Sequence, residues 1–391
     1  MAAEPWLPGH QIELLENGDA FFPRVFEAID RACHSILIET FILYEDSVGS
    51  ALADRLCKAA GRGVEVHLIA DGFGSAELSD GFGKRLGDAG IHLKLFDPGA
   101  SAFGQRLKIF RRLHRKLLVV DGSVAFVGGI NFSADQLLNF GAEAKQDYSV
   151  RVVGGVVAHI ETFMREAAGI GPGRDRSDAP QQPSGAATVL FATRDNRRHR
   201  NDIERLYRQG IREARRRITI ANAYFFPGFR LMHGLVRAAR RGVEVRLLLQ
   251  GMPDLPLARL ASTMLYHHLL RHGVMILEYT RRPMHGKVAL VDDDWATVGS
   301  SNLDPLSLAM NLEANLFVRD HSFNAAVAER LQAMMADSRS VRAEELGTWR
   351  RWPLLQTFII YHVLRWVPMI EGWWPRHTQK LHPFPRDATP D

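Results

Sequence analysis

Apolar residues along the chain switch repeatedly between two periods. Short runs such as Ser35 to Ile42, Val64 to Ala70 and Ile91 to Phe96 are aliphatic and predict strands. Between them, Phe21 to Cys33, about Val48 to Ala60 and about residues 81 to 89 place apolar side chains every three or four positions and predict amphipathic helices. The same order then returns. A helix over Asp202 to Arg216 precedes the run from Ile218, and a helix over Phe229 to Arg240 precedes the run Val243 to Leu249. The phrase Arg-Gly-Val-Glu-Val occurs at both Arg62 and Arg241. This alternation argues for an α/β fold made of two tandem repeats, each a mostly parallel sheet flanked by helices, packed as a pseudo-twofold pair. Residues 1–170 form the expected first half and residues 187–340 the second. Residues 171–186, rich in Gly, Pro and Ser, read as a linker.

A second pattern lies on these strands. Leu113-His114-Arg115-Lys116 leads into an apolar run ending at Asp121, and Met284-His285-Gly286-Lys287 leads into one ending at Asp292. Returning runs reach Val127-Gly128-Gly129-Ile130-Asn131 and Val298-Gly299-Ser300-Ser301-Asn302, so each copy predicts a β-hairpin. His and Lys two apart on an extended chain share a face. An imidazole aimed beside an ammonium suits a phosphate, the first attacking phosphorus or moving a proton, the second neutralising oxygens. Each Asp lies seven residues past its His, an odd offset at the turn, which predicts a brace for the hairpin or Lys. One His-x-Lys is ordinarily a solvated edge strand; two copies with matched flanks argue for one shared site. Asp147 and Glu313, each opening a strand after its hairpin, are candidates to fix the imidazole tautomers. Asn131 and Asn302 are candidates to hold phosphate oxygens.

Composition narrows this modestly. The net charge is +5 and the pI about 9.3, and only eight of the 49 basic residues are Lys, an Arg excess that fits phosphate or anionic surfaces. Cys33 and Cys57 give no disulfide framework or metal spacing and read as small buried residues. No secretory leader and no run of spanning length is evident. Phe103 to Arg112 mixes aromatic with basic residues, a candidate seat for an anionic headgroup. Residues 341–391 hold five of the seven tryptophans among arginines, and predict a membrane-interface segment.

The duplicated His-Lys-Asp pattern resembles the phospholipase D superfamily. Glu39-Thr40-Phe41, Glu143-Ala-Lys-Gln-Asp147-Tyr, Ala223-Tyr224-Phe225-Phe226-Pro-Gly and Gly299-Ser-Ser-Asn-Leu-Asp-Pro305 are similar to the bacterial cardiolipin synthases of the B subfamily. That resemblance implies a metal-independent phosphatidyltransferase with no cofactor. It implies catalytic residues His114, Lys116, Asp121, His285, Lys287 and Asp292, with Glu39 and Tyr224 near the substrate. The reaction implied moves a phosphatidyl group between two phosphatidylglycerols through a phosphohistidine, giving cardiolipin and glycerol. It also implies peripheral attachment to an anionic membrane, on the cytoplasmic face of the bacterial inner membrane, and no nucleic-acid partner. A phospholipase or, less favourably, a nuclease would use the same residues with water as acceptor. Aromatic side chains at strand ends, Phe41 and Tyr44 in one half and Tyr224 to Phe226 in the other, are expected to form lips that exclude water.

Overall fold

The structure is a computed structural model and describes residues 6–97, 101–102, 105–106, 111–173, 185–252, 265–346 and 381–384. Most of Phe103 to Arg112, most of the linker 171–186 and most of the tail lie outside the described residues. The membrane-interface reading of the tail therefore falls outside them too.

The two repeats are present, and their strands join one 16-stranded sheet. In the first half, Ser35–Thr40, Glu65–Asp71 and His92–Phe96 pair in parallel, as predicted for β-α-β units. The hairpin Leu117–Val120 and Val124–Gly128 then adds antiparallel to Ser35–Thr40, followed by Tyr148–Val153 and Leu7–Glu16. The second half repeats this order. Arg217–Asn222, Glu244–Gln250 and Met275–Tyr279 are parallel, while Lys287–Val291, Trp295–Gly299, Glu313–Arg319 and Ala187–Arg194 follow antiparallel. Each sheet is thus mixed rather than mostly parallel. The reason is local: tight turns at Asp121 and Asp292 reverse the chain where no helix intervenes.

Leu7–Glu16 joins the halves, because its start pairs with Ala187–Arg194 and the rest with Tyr148–Val153. Around this seam Val150, Val152, Val288, Val298 and Leu316 form one buried apolar cluster with helices Val156–Ala168 and His321–Ala336. Burying such a contiguous face makes the halves one body rather than beads on a linker. One further large cluster fills the outer part of each half. Phe225 and Phe226 belong to the core of the second half, at 1% and 7% exposure, so they are not lips over the site. The segment is anchored by the bridge of Phe225 to Leu303.

Two short strands close the outer edges of the sheet. Ser338–Ser340 closes the outer edge of the second half on Met275–Tyr279. Leu381–Pro383, near the end of the tail, closes the outer edge of the first half on His92–Phe96. Cys33 is exposed, in the turn before Ser35, and not buried as expected; Cys57 is half-buried, and both are free.

Candidate active site

In each half the parallel strands end beside the start of that half's His-Lys segment, and the two segments meet at one site. Glu39 pairs in register with Leu117, and Asn222 with Lys287, so each motif enters at the C-terminal end of a parallel strand, where α/β sheets commonly bind ligands. Each motif segment then crosses to the other half. Leu113 bridges to Leu312, and Met284 to Gln146. The His114 amide donates to the Leu312 carbonyl at 2.9 Å, and the His285 amide to the Gln146 carbonyl at 2.8 Å.

The imidazoles follow the same crossing. His114 Nδ1 lies 3.0 Å from Glu313, and His285 Nδ1 lies 2.5 Å from Asp147. A carboxylate only accepts, so Nδ1 carries the proton and Nε2 keeps its lone pair. Neither half completes its own histidine. The two rings stand edge to face with centroids 6.5 Å apart, the width of one phosphoryl group between them.

Burial dominates the electrostatics. It pushes His285 down to about 3, with Lys287 adding and Asp147 opposing. It lowers His114 too, against the pull of Glu313. Burial and the neighbouring Lys287 push Lys116 down to about 7, and burial pushes Lys287 down to about 8. Burial would raise the two carboxyls, but His285 and Lys287 hold Asp147 below its usual value, and His114 and Lys116 do the same for Glu313. The pocket therefore sets neutral imidazoles over carboxylates, with two ammonium groups whose pKa values lie near neutrality. An arriving phosphodiester anion reverses this, since negative charge favours every cationic form.

The ammonium groups reach back to their own segments. Lys116 Nζ donates to the His114 carbonyl at 2.8 Å, and Lys287 Nζ to the His285 carbonyl. Asn131 accepts from the Ile42 amide at 3.1 Å and leaves its amide nitrogen buried without a partner among the described residues. Asn302 is buried as well, at 5% exposure. The Gly128-Gly129 turn has a steric reason. A Cβ on Gly129 would sit 2.2 Å from Asp147 Oδ1, where the orienting carboxylate must lie.

Asp121 and Asp292 stay out of the pocket. Both occupy turns with φ of 51°, a left-handed conformation Asp tolerates. Asp121 accepts from the Cys33, His34 and Ser35 amides at 2.7–2.9 Å, and Asp292 from the Arg215, Arg216 and Arg217 amides at 2.8–3.0 Å. They tie each hairpin to the start of the neighbouring parallel strand.

Glu39 is not a substrate-lining residue. Its carboxylate is taken by Arg115 at 2.6 and 3.1 Å, both side chains buried, and Arg115 lies over the Phe163 ring. The cause is alternation: Arg115 points away from the face shared by His114 and Lys116. Tyr224 is half-buried, just past the end of Arg217–Asn222 at the site edge. Phe41 stands against His114 with ring centroids 5.0 Å apart and lies 5.3 Å from the Lys116 ammonium. Arg112, expected to help seat a headgroup, is buried; its Nε lies 3.0 Å from both Asp71 oxygens. Asp71 also accepts from the Leu113 amide at 2.8 Å, which fixes the approach to His114.

Asn222 escaped the sequence reading. It lies opposite Lys287, accepts from the Leu303 amide at 3.2 Å and leaves a second buried amide nitrogen without a partner among the described residues. A lone Asn ending the apolar run Ile218 to Asn222 was the available signal.

Two α/β repeats sharing one His-Lys pair each across a pseudo-twofold axis define the phospholipase D-like class. The family model described as "Cardiolipin synthase, PLD-like domain" matches residues 25–153 and again 207–335. Cardiolipin synthase B of Salmonella typhimurium is 48% identical over 99% of this chain and 95% of its own length. Cardiolipin synthase B of Escherichia coli K12 is 46% identical over 98% and 95%. Among solved structures, phosphatidylserine synthase of Haemophilus influenzae shares the fold with a TM-score of 0.66 at 15% identity, covering 94% of this chain and 96% of that one. The chain belongs to the cardiolipin synthase family of phospholipase D-like proteins.

Proposed function

We propose that the chain is a phosphatidyltransferase that makes cardiolipin and glycerol from two molecules of phosphatidylglycerol. The observation that carries this reading is the crossed pair of imidazoles, 6.5 Å apart, each with a carboxylate on Nδ1. Relatives nearly half identical over almost the full length carry the name cardiolipin synthase B, which supports the choice of reaction.

In the first step, Nε2 of one histidine attacks phosphorus and a P–N bond forms. The P–O bond to the headgroup glycerol breaks, and the other histidine gives that oxygen its proton. In the second step, the terminal hydroxyl of another phosphatidylglycerol attacks the phosphohistidine. The second histidine takes that hydroxyl's proton back, and the P–N bond breaks. Lys116 and Lys287 balance the charge on the non-bridging oxygens, with the buried amide nitrogen of Asn131 as a further donor. Lysines thereby fill the electrostatic role for which other phosphoryl-transfer sites use a cation. Water, at about 55 M, competes in the second step, so transfer requires the acceptor to be held in line.

Purified protein incubated with phosphatidylglycerol vesicles tests the proposal by product analysis. Cardiolipin and glycerol in equal amounts are expected, with added glycerol driving the reaction backwards. Phosphatidic acid as the main product, insensitive to glycerol, would make the protein a hydrolase.

A further inference from the structure

Large exposed apolar side chains are unevenly placed. Among the described residues seven stand out: Tyr44, Phe73, Leu138, Phe140, Phe229, Met252 and Met275. Scattered singly, such residues mean nothing. Six of them, however, follow those strand ends of each half that lie toward the histidines. Tyr44 follows Ser35–Thr40, Phe73 follows Glu65–Asp71, and Met252 follows Glu244–Gln250. Leu138 and Phe140 sit on the connection between Val124–Gly128 and Tyr148–Val153, whose ends meet at the site. Phe229 opens the helix after Arg217–Asn222. Only Met275 lies at the opposite end, where its strand begins. Phe140 and Phe229 are 52% and 55% exposed, one on each half.

We propose that the chain docks on an anionic bilayer with its catalytic mouth facing the lipid, seated by Tyr44, Phe73, Leu138, Phe140, Phe229 and Met252. The proposal deepens the lipid-substrate reading above and rests on it for the choice of a bilayer over a protein partner. Charge completes the argument. In the first half, strand Leu7–Glu16 runs directly into helix Asn17–Arg31. In the second, residues 195–201 are inserted between strand Ala187–Arg194 and helix Asp202–Glu213. Asp195 shapes that insertion by accepting from the Arg197, Arg198 and His199 amides at 2.7–2.9 Å. The side chains it displays outward at the mouth are Arg197, Arg198 and Arg200, and Arg230 stands exposed beside Phe229. The first half's rim instead carries exposed acids, Glu77 and Glu143. The second half's side therefore meets lipid phosphates, and the first half's side enters chiefly through apolar contact. Docked this way, a phosphatidylglycerol headgroup enters the pocket without its chains leaving the bilayer.

The test uses the full chain in a Cys33→Ser, Cys57→Ser background, with one cysteine placed by Phe140→Cys, Phe229→Cys or Met275→Cys. Each carries a polarity-sensitive dye and meets vesicles of equal phosphatidylglycerol and phosphatidylcholine. Emission should shift to the blue at positions 140 and 229 and stay unchanged at 275. The Leu138→Ser, Phe140→Ser, Phe229→Ser triple variant should bind these vesicles at least about tenfold more weakly. It should also lose turnover on them, yet keep turnover on monomeric dihexanoyl phosphatidylglycerol. An equal shift at all three positions, no shift at 140 and 229, or full vesicle binding by the triple variant would overturn the docking proposal. Blue shifts at 140 and 229 without turnover on either substrate would instead remove the assigned reaction and leave the docking in place.

Discussion

The His114 and His285 half-sites reach the same geometry by different means. The segment carrying His114 is gripped by two buried ion pairs, Arg112 with Asp71 before it and Arg115 with Glu39 after it. In the second half Pro283 and Gly286 occupy the matching positions, and Gly286 packs against Tyr148, where a Cβ would lie 3.0 Å from the ring. The orienting acids differ too. Asp147 sits close behind His285 because Gly129 gives it room, while the longer Glu313 reaches His114 and also accepts from the Ser300 hydroxyl. What is shared is the crossing of each histidine onto the other half's carboxylate and carbonyl. Duplication has preserved the shared chemistry and let the scaffold of each half diverge.

The largest expected effect falls on the shared part. His114→Ala and His285→Ala should each lower kcat by about a thousandfold or more, because the two act as a unit on one phosphorus. A difference of orders of magnitude between them, with both proteins folded by circular dichroism, would break the symmetry assigned to them.

Next come the acids. Asp147→Asn and Glu313→Gln should each lower kcat about a hundredfold or more by leaving the opposite half's imidazole tautomer unfixed. Asp147→Asn should be the more damaging, since its bond to His285 is shorter and Glu313 shares its carboxylate with Ser300. Steady-state kinetics on the two purified variants decide the order.

The lysines set a pH dependence. Both are bases whose pKa is lowered by burial, to about 7 for Lys116 and about 8 for Lys287, so each is charged below that value and neutral above it. The profile of kcat/KM, which reports the free enzyme, should therefore fall as pH rises from about 7 to 9. A flat profile across that window would contradict the electrostatic role of the lysines.

The ion pair present in one half only should act on stability instead. Glu39→Gln leaves Arg115 buried and unpaired, at an expected cost of about 3–5 kcal/mol in unfolding free energy, while KM stays near its original value. A raised KM without destabilisation would return Glu39 to the substrate. Smallest of all, Asp121→Asn should cost about 1–3 kcal/mol through its three amide bonds and leave kcat unchanged at temperatures where the protein is folded.

What was legible in the sequence was local or repeated. The hairpins, the paired His and Lys, and the place of Asp121 and Asp292 at the turns follow from strand periodicity and turn chemistry within about ten residues, whereas the amides that these two acids accept from lie 75 to 88 positions away. The crossing was not legible, because His285 and Asp147 are 138 positions apart and His114 and Glu313 are 199 apart. Glu39 was misplaced for a related reason: its partner is set by strand register, which Arg115's spacing does not reveal. Phe225 and Phe226 looked like lips from their place at a strand end, but both rings are buried in the core of the second half. How each hairpin joins the parallel strands was not legible, because that pairing is set by register between distant segments, and the edge strands Ser338–Ser340 and Leu381–Pro383 are too short to stand out.

The crossing itself is open to direct measurement by nitrogen NMR of protein labelled in its histidine imidazoles. Asp147→Asn should shift the Nδ1 resonance of His285 and leave that of His114 in place, while Glu313→Gln should do the reverse. If each acid instead perturbs the histidine of its own half, the site is not assembled crosswise, and each repeat carries a self-sufficient imidazole and carboxylate.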